Sequence, residues 1–163
     1  TALEHFRAAA EAEETNGEAW MAVFQSAFAE GEYEDAAEAL AIAADLGAFP
    51  RGYRFDPRPI YPDESTFEKA LELLDKHLKK HDDDADAHLI RTYFHVAEGE
   101  REDAHAGILR VLELQPDDQT APLLSIALLP PLPPEKIEEP VAGEAPAKEL
   151  EKPTAAPEVP AER

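Results

Sequence analysis

Apolar residues along this chain recur at the three- and four-residue spacing of helices that bury one face. Leu3, Phe6 and Ala10 place a first helix over residues 1–14, and Asn16-Gly17 ends it, either residue being able to take a left-handed cap. Trp20, Val23, Phe24, Ala27 and Phe28 mark a second helix over 18–30, broken at Gly31. Ala36, Ala37, Leu40, Ala43 and Ala44 mark a third over 33–46, whose small side chains allow close approach and which Gly47 ends. Ser65-Thr66-Phe67-Glu68 has capping-box spacing and opens a helix to about residue 80, with Phe67, Ala70, Leu71, Leu74 and Leu78 on its inner side. Asp82-Asp83-Asp84 turns the chain and puts negative charge at the start of a helix over 85–98. That helix carries Leu89, Ile90, Tyr93, Phe94, Val96 and Ala97. After Gly99, Ala104, Ile108, Val111 and Leu112 give a helix over 102–114, closed by Pro116, and a short apolar helix follows over 119–129. Trp20, Phe24, Leu40, Leu74, Phe94 and Ile108 are the expected core.

Two stretches break this rhythm. Residues 48–65 hold four prolines, which forbid a regular helix, with four aromatics and three arginines among them. A loop of that length inside a compact domain is functional or disordered, and the aromatics argue against disorder. From Pro130 onward Pro, Glu, Ala and Lys dominate and no aromatic remains, so residues 130–163 read as an extended, disordered tail. Pro131-x-x-Pro134-x-Lys136 matches a short proline-ligand pattern, but a spacer is the plainer reading of such a tail.

The helices also repeat. Gly31-Glu32-Tyr33-Glu34-Asp35-Ala36 returns as Gly99-Glu100-Arg101-Glu102-Asp103-Ala104, two periods of 34 later, and Ala70 stands midway. A period of this size means helical hairpins stacked on their neighbours. The expected fold is therefore all-α: a right-handed superhelical stack of antiparallel hairpins over 1–129. Its parts are a partial repeat (1–16), a repeat (17–50), an atypical repeat containing the loop (51–84), a repeat (85–118) and a terminal helix (119–129).

These features resemble the tetratricopeptide repeat family, whose pattern is W-x2-L-G-x2-Y, then A-x3-F, then P. Trp20 takes the opening place, with Val23, Phe24 and Ala27 at the next three, and Ala36-x3-Leu40 keeps the second-helix spacing. Ala104-x3-Ile108 and Pro116 fit in the later repeat, although His88, Arg91, Thr92 and His95 occupy its first-helix places. Ala70-x3-Leu74 keeps the middle repeat in phase while the loop replaces its first helix, and Ala2 and Phe6 suit the opening fragment. The resemblance implies a protein- or peptide-binding scaffold without catalysis, with first-helix residues lining a concave groove. Carried over, that groove holds Met21, Gln25 and Phe28, then Leu89, Tyr93 and Val96, beside Glu18 and Asp86. The basic clamp by which chaperone-binding relatives hold a C-terminal carboxylate is missing, since Met21, Gln25 and Asp86 stand at clamp positions. The groove would take an apolar or amphipathic helix or an extended peptide, unless the chain's own loop or last helix fills it. Structural alternatives are a spacer within a larger assembly or an accessory domain of a larger enzyme. Tyr53-Arg54-Phe55-Asp56 and Tyr61 are also similar to repeats of some secreted bacterial families, which leaves location open between cytoplasm and cell envelope.

Charge narrows the partners. Fifteen Lys+Arg against 36 Asp+Glu give a formal charge of -21, which repels nucleic acid and anionic lipid and suits basic or amphipathic peptides. Cysteine is absent, so no disulfide or thiolate metal site forms. No run of about 18 apolar residues predicts membrane insertion, and oligomeric state is left open. The chain begins at Thr1 inside a helical pattern, which reads as a fragment.

The loop's Tyr53, Arg54, Phe55 and Tyr61 are the candidate specific contact, because Arg and Tyr recur at binding hot spots. The plainer expectation pairs Arg51, Arg54 and Arg58 with Asp56, Asp63, Glu64 and helix carboxylates while the rings pack inward. His77 and His81 have metal-ligand spacing, but His77, His88 and His95 fall at packing positions, so no metal site is expected and a pH-sensitive seam is preferred. No cofactor fingerprint and no catalytic motif occurs.

Overall fold

The computed structural model of this chain describes residues 1–133. They form helices throughout, with no strand among them: α1 (Ala2–Ala12), α2 (Gly17–Glu30), α3 (Tyr33–Asp45), a 3-10 turn (Arg58–Ile60), α4 (Glu64–Leu78), α5 (Ala85–Glu98), α6 (Arg101–Leu114) and α7 (Thr120–Ala127). The expected tail lies, from residue 134 on, outside the described residues. Pro130 and Pro131, at its start, still touch the domain: Arg51 Nε donates to the Pro130 carbonyl at 3.1 Å.

Local chemistry explains most helix ends. Gly31 and Gly99 close α2 and α5 in the left-handed conformation, at φ 80° and 83°. There a side chain would clash with its own carbonyl, so glycine is favoured. At each, the next residue's N–H returns to the helix: Glu32 to the Ala27 carbonyl and Glu100 to the His95 carbonyl, both at 2.9 Å. Asp84 starts α5 by accepting from the Ala87 N–H. Two expectations need correction. Asn16 does not end α1 in a left-handed cap; at φ -91° it caps the start of α2, accepting from Glu18 and Ala19 N–H groups. The cap of α4 is Asp63, not Ser65, because the Asp63 carboxylate already accepts from the Thr66 N–H and the helix begins one residue before Ser65.

Packing pairs α2 with α3 and α5 with α6 as hairpins, and α1 lies on α2. The two hairpins meet directly through α3 and α5. α4 packs on α2, α5 and the 3-10 turn, and does not come between α3 and α5. α7 closes the other side against α3, α5 and α6. The core is continuous and includes all six expected residues, Trp20, Phe24, Leu40, Leu74, Phe94 and Ile108. Its centre is aromatic: Phe28 meets Phe94 at 4.7 Å between ring centroids, and Phe24 meets Tyr93 edge-on at 4.9 Å. Phe67 of α4 reaches in to Phe94 at 5.4 Å and to Phe28 at 6.3 Å. Such pairs contribute about 0.5–1.5 kcal/mol each beyond their area.

Candidate functional site

The loop between α3 and α4 decides which residues of α2 and α5 face solvent. Its backbone is tied down at both margins: Gly52 N–H donates to the Ala127 carbonyl at 3.0 Å, and Phe55 N–H to the Ala97 carbonyl at 3.2 Å. Gly52, at φ 75°, also lets Pro131 lie against the backbone where a Cβ would stand. Three of the loop's rings turn inward. Phe49 is buried against Tyr53 and Tyr93, and the Tyr53 hydroxyl meets that of Tyr93 at 3.1 Å. Tyr61 packs on Phe67 and donates its hydroxyl to Gln25 Oε1 at 2.8 Å. Desolvation pushes the Tyr53, Tyr61 and Tyr93 hydroxyls up, so they stay protonated donors at all ordinary pH.

The arginines hold this loop in two ways. Arg58 reaches Asp56, Glu68 and Glu98 at 3.0, 3.1 and 2.9 Å and lies over the Phe67 ring, as the carboxylate-pairing expectation has it. Arg51 and Arg54 depart from that expectation and donate to backbone carbonyls. Arg54 bonds Tyr53 O and reaches Val96 O at 3.5 Å, so it sits over the carbonyl end of α5, where the helix dipole favours a cation.

The groove residues named from sequence therefore divide. Gln25, Phe28, Leu89, Tyr93 and Val96 are all buried. The expectation that they present an open apolar surface is corrected: loop and α4 side chains lie on Gln25, Phe28 and Tyr93, and α7 packs on α5. Tyr53 and Tyr61 are half-buried, Met21 is partly exposed, and Arg54 and Phe55 are exposed.

Three of these residues converge elsewhere. Met21, Tyr53 and Phe55 line an open cleft of about 790 Å³ between the α1–α2 turn, the end of α3 and the loop. Leu46 and Ala48 complete its apolar lining, while Thr15, Asn16 and Glu18 form its polar rim. Tyr53 and Phe55 present one stacked aromatic wall, with centroids 6.4 Å apart and planes at 26°. Sequence reasoning missed Leu46 and Ala48, because they flank the Gly47 turn and belong neither to the apolar stripe of α3 nor to the aromatic and arginine cluster of the loop. The signal was Gly47, whose left-handed turn (φ 80°) sets Leu46 and Ala48 beside Gly17 at the start of α2.

No family model, curated protein or solved structure matches this chain.

Two further clusters carry charge. A second hollow is walled by Glu34, Asp35, Glu38, Asp86 and Asp118, at the starts of α3, α5 and α7. Burial, then the neighbouring Asp84, Glu34 and Asp118 charges, push the Asp86 carboxyl above the ordinary carboxylate range. His77 Nε2 lies 2.6 Å from Asp84, His88 Nε2 3.0 Å from the Asp82 carbonyl, and His95 Nδ1 2.6 Å from Glu100. His77 thus joins the end of α4 to the start of α5. Among the described residues no helix is long and apolar enough to cross a membrane.

Proposed function

We propose that this chain is a non-catalytic, tetratricopeptide-like repeat scaffold, a helical stack that binds an extended peptide in the cleft walled by Tyr53 and Phe55. The repeat reading is supported by the two hairpins whose turns at Gly31 and Gly99, two sequence periods apart, share one backbone geometry. The peptide reading rests on a single observation: Met21, Tyr53 and Phe55, chosen as contacts from sequence, meet Leu46 and Ala48 in one open apolar cleft. An extended chain suits it, because stacked aromatic walls take flat apolar or proline side chains in succession. Glu18 is the charged residue on the rim, and the whole chain is strongly acidic, so the partner carries Lys or Arg beside its apolar residues.

The burial of Phe28, Leu89, Tyr93 and Val96 favours a second reading, in which the filled groove serves only to stiffen a spacer module. Selection from a displayed peptide library separates the two. A binding module enriches peptides that combine apolar and basic residues, and loses them when Met21→Glu and Phe55→Glu are introduced with helicity unchanged. No enrichment, or enrichment indifferent to both substitutions, leaves the spacer.

A further inference from the structure

The turn between α5 and α6 brings three metal-ligand side chains to one point. His95 stands in the last turn of α5, Glu100 is the residue that leads into α6, and Asp103 lies in the first turn of α6. Because Gly99 reverses the chain in the left-handed conformation, His95 on α5 and Asp103 on α6 face each other across only eight positions. One ligand atom from each of His95, Glu100 and Asp103 lies within 4.8 Å of the other two. The imidazole is the fixed member: its side chain is 16% exposed, and Nδ1 is already 2.6 Å from Glu100 Oε2. Asp103 is exposed and adjustable.

We propose that His95, Glu100 and Asp103 form a binding site for a divalent cation of the zinc class. A zinc ion takes nitrogen and oxygen ligands at about 2.0–2.2 Å, so its ligand atoms stand roughly 3–3.5 Å apart. Binding needs the exposed Asp103 side chain to rotate inward and the His95–Glu100 pair, now at 2.6 Å, to open to that range. The imidazole selects against magnesium and calcium, which prefer all-oxygen sets. Three protein ligands leave the fourth position to water.

The molecule contains its own comparison. One repeat pair earlier, the same turn carries Glu32 and Asp35 in place of Glu100 and Asp103, but Ala27 in place of His95. There Asp35 is held by Arg7 at 2.9 Å. The carboxylates thus belong to the repeat, whereas the imidazole aimed at them is particular to the second turn. Arg54 lies against Gly99 and opposes a cation there, while its hydrogen bonds run to the Tyr53 and Val96 carbonyls. The net charge of -21 works the other way and concentrates cations around the chain.

Zinc chloride titrated into the full chain by calorimetry, with imidazole NMR spectra recorded in parallel, tests this. The expected result is one saturating equivalent that shifts the His95 ring and leaves the His77, His81 and His88 rings in place. Asp103→Asn and His95→Gln each weaken it by at least about tenfold, and His77→Gln leaves it unchanged. Several weak unsaturated equivalents, a shift at another histidine, or an affinity unmoved by Asp103→Asn overturns the site. Asp103 is exposed, so its variant keeps the fold even if His95→Gln disturbs packing.

Discussion

The hydroxyls of Tyr53 and Tyr93 meet at 3.1 Å, and through them the loop between α3 and α4 is fastened to α5. The two partners are not equivalent. Tyr93 is wholly buried, whereas Tyr53 is only partly buried and borders the open cleft.

Removing one hydroxyl therefore costs differently at the two ends. Tyr53→Phe strands the buried Tyr93 hydroxyl and is expected to destabilise by about 1–3 kcal/mol. Tyr93→Phe leaves the hydroxyl of a residue at the edge of the open cleft and is expected to cost about 1 kcal/mol or less. The double variant is milder than Tyr53→Phe alone, because no stranded hydroxyl remains. Urea unfolding of the three variants checks the order; equal single-variant losses would contradict it.

Gly107 permits the close contact of α5 and α6. A Cβ built there overlaps the Thr92 side chain, which is buried and donates its hydroxyl to the His88 carbonyl at 2.7 Å. Gly107→Ala is expected to lower stability by about 1–3 kcal/mol despite alanine's better helix propensity. Thr92→Ala on the same chain restores part of the loss. Thermal unfolding of the single and double variants measures that coupling, and additive effects would show that the helices separate for another reason.

Asp84 and Asp86 sit two residues apart with opposite pH behaviour. Burial alone would raise the Asp84 carboxyl, but the Ala87 N–H and His77 hold it below the ordinary range. Its stabilisation is present above the unfolded carboxylate pKa of about 3.9 and is lost as pH falls through its lower folded value. Asp86 is raised, so its charge opposes folding at neutral pH and is relieved as pH falls through that raised value. Asp84→Asn should lower the melting temperature at pH 7 by about 1 to 4 °C, as for about 0.3–1 kcal/mol of cap charge in a chain of this size. Asp86→Asn should raise it. Both differences should shrink in acid, that of Asp86 at the higher pH. Melting curves from pH 7 to pH 2.5 test this, and a loss on Asp86→Asn at pH 7 would refute the assignment.

The order of helices was legible because their signals are local. A three-to-four-residue apolar stripe, a glycine that takes positive φ at Gly31 or Gly99, and a proline at Pro116 act within one or two turns of chain. The caps were less legible. Asp63 and Ser65 are both competent caps, and only the structure shows that the Asp63 carboxylate takes the Thr66 N–H, so that the helix starts ahead of Ser65.

Sequence by itself determined the helices of residues 1–129, their glycine turns and the apolar set that had to be buried. Only the tertiary structure decided what buries it. Periodicity marks Phe28, Tyr93 and Val96 as apolar in the same way whether a partner or the chain's own loop lies on them. The outcome depends on long-range contacts, Phe67 with Phe28, Tyr61 with Gln25 and Tyr53 with Tyr93, which leave no trace at short spacing. The same contacts place Phe55 and Met21 in one cleft, and the reversal at Gly99 sets His95 beside Asp103.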